Sequence, residues 1–110
     1  MRPAPETIQL NTRHSKREAR LEWARYENGR TALRLIDART REPLLTATVN
    51  MPEFRLLAQG ETIIKTWSEN EGVLQSLIDA GIVEDTDGRI PVGFVKAAVC
   101  RWTVEIPEFA

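Results

Sequence analysis

AQGETIIKTWSENEGVLQSLIDAG, residues 58–81, reads as a strand running straight into a capped helix. After the Gln59-Gly60 turn, the strand covers 61–67. Ile63, Lys65 and Trp67 lie on one face, and Thr62, Ile64 and Thr66 on the other. Ser68 stands where an N-cap belongs and Glu71 follows three residues later, the capping-box spacing. This predicts a helix over 69–80. Val73, Leu74, Leu77 and Ile78 form its single apolar stripe, and Gly81 ends it in a left-handed conformation. Lys65 shares its face with two large apolar residues. It either snorkels at a sheet end, the simpler reading, or reaches a carboxylate.

Upstream, LEWARY and TALRLID flank Glu27-Asn28-Gly29-Arg30, and Asn-Gly predicts a two-residue type I′ hairpin turn. Leu21 and Trp23 alternate with Arg20 and Glu22, as Leu33 and Leu35 do with Ala32 and Arg34. After the polar connection 37–43, LLTATVN (44–50) supplies a third strand, closed by Met51-Pro52 because proline cannot donate to a ladder. Three strands with short connections predict an antiparallel meander. Phe54 and Leu57 are spaced like one helical turn in a piece too short to form a helix alone.

Downstream, Ile82-Val83 begins a strand, and Thr86-Asp87-Gly88-Arg89 is read as a second hairpin turn. FVKAAVCRWTVEI (94–106) follows as a long strand, with Gly93 as a candidate bulge. Both of its faces are largely apolar, which predicts a central strand covered on both sides. The chain ends in PEFA, with Phe109 free for exposure. The expectation is therefore an α+β fold: an antiparallel sheet of about five to six strands (N-terminal meander, strand-helix unit, C-terminal hairpin) with one main helix packed on one face.

The chain has 110 residues, 42% apolar and 28% charged, which suits one globular domain with its own core. Pro3, Pro5 and the basic run Arg13, Lys16, Arg17 and Arg20 set residues 1–18 apart as a flexible basic arm, leaving 19–110 as the domain. At most, Thr7 to Leu10 adds a short edge strand. The formal net charge is −1. Residues 1–45 carry ten Lys/Arg against six Asp/Glu, and residues 46–110 carry five against ten. Either the fold presents one basic and one acidic face, or the halves neutralise each other.

The catalytic inventory is thin. Cys100 is the single cysteine and His14 the single histidine, so a disulfide framework and a multi-histidine metal site are both excluded. No phosphate-binding glycine loop, nucleophile elbow or zinc-protease motif occurs. EDTDG (84–88) lacks the later acidic ligand of a calcium loop. Glu69 with Glu71 and Asp85 with Asp87 suit a helix first turn and a hairpin turn, respectively. No catalytic residue, metal or cofactor is expected. No run of apolar residues spans a bilayer and no secretory segment is visible, so the expected setting is cytoplasmic.

One polar constellation stands out. Asn50, Lys65, Glu69 and Asn70 lie at strand ends and at the helix start, where they could converge on an anion or an acidic partner loop. The alternative is that Asn50 serves a turn, Lys65 pairs with Glu69, and Asn70 is incidental.

The run TVNMPEF…GETIIKTWSENEGVLQSLIDAGIVEDTDGRIPVGFVKAAVCRWT resembles a family of short bacterial proteins known as domain of unknown function number 4313. The resemblance covers roughly residues 24–103. It rests on Asn50, Pro52, Gly60, Glu61, Lys65, Glu69, Asn70, Gly72, Leu77, Gly81, Gly93 and Cys100-Arg101. It implies accessory cargo of plasmids, integrated elements and phages, and brings no activity, cofactor or catalytic residue.

The leading expectation is a non-enzymatic protein-binding protein, monomer or homodimer, that occupies a host or defence protein, as a CRISPR or restriction inhibitor does. Glu69, Glu71, Asp79, Glu84, Asp85 and Asp87 would offer it an acidic face. One alternative is nucleic-acid binding through Arg13, Lys16, Arg17, Arg20, Arg25, Arg30 and Arg34, although no aromatic is interleaved among the basic residues of the arm. The other is a small anion-binding domain at the Lys65–Asn70 corner.

Overall fold

A computed structural model of the chain describes residues 1–54 and 58–107. It is a mixed α+β fold with antiparallel sheets. The described strands are β1 (Arg2–Pro3), β2 (Thr7–Asn11), β3 (Lys16–Arg25), β4 (Thr31–Asp37), β5 (Pro43–Thr46), β6 (Glu61–Ile64), β7 (Val83–Val92), β8 (Val95–Trp102) and β9 (Val104–Glu105). The helix α1 spans Val73–Asp79, and a 3-10 turn at Ser68–Asn70 precedes it. Four strands pair in the order β2-β3-β4-β5, three in the order β6-β8-β7, and β1 runs parallel to β9.

The single sheet expected from the sequence is therefore divided, and the chain between β5 and β6 shows why. Just past β5, Ala47 N–H still donates to Leu33 O of β4 at 2.8 Å, while Ala47 O already accepts from Lys65 N–H at 2.9 Å. Val49 N–H then bonds Ile63 O at 2.9 Å. This segment leaves one sheet and joins the other, so the two fold towards each other. Alternation places Leu10, Leu21, Leu33 and Leu35 on the inner face of the first sheet, opposite Ala98, Cys100 and Trp102 of the second. Trp23 and Trp102 meet across the core edge to face, with centroids 5.2 Å apart and planes at 67°.

The helix seals this core with Val73 and Leu77, and it starts later than its sequence indicates. Ser68 has φ 60 and its side chain caps nothing. The residue preceding α1 is Gly72, at φ 95. At Gly72 a Cβ would lie 2.3 Å from Asn11 O, so only glycine lets the helix approach β2 this closely. Ser76 Oγ completes the seam. It accepts from Asn11 N–H at 2.9 Å and lies 3.0 Å from Gly72 O, to which it can donate.

Other expectations are corrected too. Residues 1–18 are no loose arm: Ile8 and Leu10 are core residues, and β2 pairs with β3 from Thr7–Arg20 to Asn11–Lys16. The Asn28-Gly29 hairpin is present, but Tyr26 N–H bonds Arg30 O, leaving a three-residue loop in which only Gly29 has positive φ. That is a type I turn with a glycine bulge rather than a type I′ turn. Asp87-Gly88 is no turn at all. It lies inside β7 at a bulge between Asp85 and Gly88, where Thr86 Oγ1 donates to Val99 O at 2.7 Å. The turn falls at Gly93-Phe94, between the last ladder pair Val92–Val95. β8 is central, as expected of the long strand. Leu57 and Phe109 lie outside the described residues.

Burial pushes the Cys100 thiol up to about 12. A thiolate is the reactive form, so the native chain should be inert to a disulfide reagent at pH 8 and react stoichiometrically in denaturant. Fast native labelling would contradict this packing.

Candidate docking surface

The structure divides the expected polar corner. Lys65 Nζ bonds Glu69 Oε1 at 2.7 Å and stands 5.8 Å from the Trp67 ring centroid. The lysine thus reaches a carboxylate rather than snorkelling. That hydrogen bond, followed by the Glu69 backbone N–H, holds the Glu69 carboxyl below its ordinary range. Asn70 is buried and donates to Thr46 O at 2.8 Å, while its Oδ1 has no partner. Asn50 belongs elsewhere, accepting from Asn28 Nδ2 at 3.1 Å. The antiparallel crossing carries it towards Glu61 and away from Asn70, so the four residues do not converge.

Four of the six acidic residues are paired with a cation among the described residues. Arg101 pairs with Glu84 at 2.5 Å, and Arg13 with Glu71 at 3.4 Å. Gln75 donates to Asp79 at 2.7 Å. Arg89 grips Asp85 with two bonds of 2.8 Å, which hold that carboxyl below its ordinary range. Asp87 sits in the β7 bulge at φ 68. Among the described residues only Arg13–Glu71 joins the basic and acidic halves, and the other ion pairs close within one half.

The basic residues also fail to form one track. Arg17 pairs with Asp37 at 3.1 Å, Arg34 with Glu22, and Arg30 donates to the Met51 and Phe54 carbonyls. Arg25 is engaged as well. Lys16 and Arg20 are exposed on the outer face of β3, far from Arg30 at the hairpin end. The N–H groups of Thr40 and Arg39, then Arg17, hold the Asp37 carboxyl low.

Asp37, Glu69 and Asp85 therefore contribute stability that is present above about pH 4, where the unfolded carboxyls ionise, and lost as pH falls through the lower folded values. Thermal melts should give a lower Tm at pH 3 than at pH 6, and Asp85→Asn should make the fall shallower. An unchanged Tm between the two would contradict these pairings.

The surface missed in the sequence is the outer face of the three-stranded sheet. Ile63, Ile90, Ala97 and Val99 are buried there, with Met51, Phe54, Trp67 and Val92 packed partly buried around them. Gly93, at φ 61, turns β7 into β8, and the next residue, Phe94, is 110% exposed. A ring in that state touches almost nothing of its own fold. The apolar Val95, Ala97 and Val99 face was the available sequence signal. Asp87-Gly88 drew the turn to the wrong place.

A recess of about 430 Å³ opens between Tyr26, Arg30, Glu61 and Trp102. Two of its polar groups are engaged: Tyr26 Oη with Thr48 Oγ1 at 2.8 Å, and Glu61 Oε1 with Ala58 N–H at 2.9 Å. Among the described residues, no cluster of His, Cys, Asp and Glu suits a metal ion, and no helix is long and apolar enough to cross a membrane. Compared with protein-family profiles, curated proteins and solved structures, the chain matches none.

Proposed function

We propose that the chain is a non-enzymatic protein-binding accessory protein of a mobile element, acting in the cytoplasm by occupying a surface of a host or defence protein. The observation that carries this reading is the fully exposed Phe94 at the tip of the β7–β8 hairpin, at one end of the sheet whose outer face holds a cluster of buried and partly buried apolar residues. A well-placed exposed aromatic is a common energetic centre of a protein interface. The resemblance to the domain of unknown function supplies the mobile-element context. Two further observations fit. The shifted carboxyls are explained by their hydrogen bonds and ion pairs, and Cys100 is buried with its thiol pushed up.

The test is retention from a host lysate by the immobilised full chain, followed by mass spectrometry. One protein should be enriched over a blank resin and persist at moderate salt, because apolar contact is little screened. Enrichment of nothing, or turnover of a substrate by the purified chain, would overturn the proposal.

A further inference from the structure

We infer that the tip of the β7–β8 hairpin seats Phe94 in an apolar socket of the partner protein whose rim carries carboxylates, an inference that rests on the protein-binding reading above. The ring is carried at the end of a two-stranded ribbon. Its two-residue loop closes on the Val92–Val95 ladder pair, so docking orders little that is not already ordered. Half-buried Val92 and Val95 lie beneath it. Thr66 Oγ1 donates to Lys96 O at 2.9 Å, and the adjacent Trp67 packs in the same outer-face cluster as Val92. A socket closing on the ring thus meets further apolar surface around it, which is how an energetically dominant aromatic excludes water.

Charge identifies the rim. Lys96 is exposed beside the tip, and its ammonium has no carboxylate partner among the described residues. Among the described residues, the other cations at this end are committed: Lys65 to Glu69 at 2.7 Å, and Arg89 to Asp85 at 2.8 Å. One free ammonium beside an exposed ring is complemented by a carboxylate at the socket edge. The same pairs disfavour a nucleic acid or an anionic bilayer. Each of those is held by a run of free cations, whereas two of the three cations described at this end are already neutralised.

The experiment places photoreactive benzoylphenylalanine at position 94 of the full chain, or at position 24 on the outer face of the other sheet. Irradiation in host lysate then fixes whatever touches each position. The inference expects position 94 to mark one protein, at an apolar recess bordered by Asp or Glu. With that protein purified, Phe94→Ala should weaken binding about 30-fold or more. Lys96→Glu should weaken it about fivefold and flatten its salt dependence. Phe94→Ala should melt with the parent chain, because its ring supports no core. A protein marked only from position 24, or a recess without carboxylates, would overturn the socket and leave the protein-binding reading standing. Nucleic acid or lipid at position 94, or nothing from either position, would overturn both.

Discussion

Gly72→Ala is expected to destabilise the chain by about 3–4 kcal/mol, with a fall in Tm of about 10–20 °C. Two costs combine. The backbone at φ 95 is one that alanine adopts only with strain. The added Cβ would also come within 2.3 Å of Asn11 O and 3.1 Å of Thr12 Cα, both main-chain atoms at the end of a core strand. Main chain tied into a ladder cannot swing aside as a flexible side chain would, so the helix has to lift from β2. Gly60→Ala is the matched control. Its φ is +86, but nothing lies within 4 Å of the new methyl, so about 1 kcal/mol of strain is all it should show. Urea melts of the two variants measure the difference. Equal losses would mean that α1 is not seated on Asn11.

Trp102→Ala should cost about 3–5 kcal/mol, the range for emptying a buried aromatic position. The indole closes the core between β8 and β7, where Trp102 pairs with Val83, and it meets Trp23 of the facing sheet edge on. Removing it leaves a void whose walls are ladder-bonded strands with little freedom to collapse. A cycle with Trp23→Ala should show a coupling of about 0.5–1.5 kcal/mol between the rings. A loss below about 1.5 kcal/mol for Trp102→Ala would contradict the facing-sheet arrangement.

The parts of this fold that were legible are those where one side of a strand meets the core and the other meets water. Leu21 and Trp23 alternate with exposed neighbours along β3, and the matching Leu33 and Leu35 mark β4 even though Ala32 and Ile36 on its other face are also buried, so both strands are readable from period and turn residues. The short edge strand at Thr7 to Leu10 is legible as β2, but its place in the core is not, because its buried side is only Ile8 and Leu10, set between two prolines and a basic run. The helix start was misplaced because the Ser68 and Glu71 spacing obeys a local rule that tertiary contact overrides. The chain is pulled into a 3-10 turn there, with buried Asn70 bonded to Thr46, and regular helix begins only past Gly72.

The docking surface was harder still. A strand buried on both faces carries no alternation, so nothing in β8 tells which apolar side ends at an exposed hairpin. Asp87-Gly88 has the composition of a turn, yet it forms a bulge because the Thr86 hydroxyl takes a ladder carbonyl. Part of the acidic face expected of the second half is paired for a geometric reason: Arg89 and Arg101 stand within reach of Asp85 and Glu84, while Asp79 and Asp87 have no ion pair among the described residues.

The central claim is that function resides in apolar contact outside the core, at the end of the three-stranded sheet. Its most direct test compares the parent chain and Phe94→Ser at equal folded fraction, measuring the thermal melt and the protein retained from host lysate on each. The account predicts coincident melts and a partner band present for the parent and lost for Phe94→Ser. An undiminished band on the serine variant would contradict it.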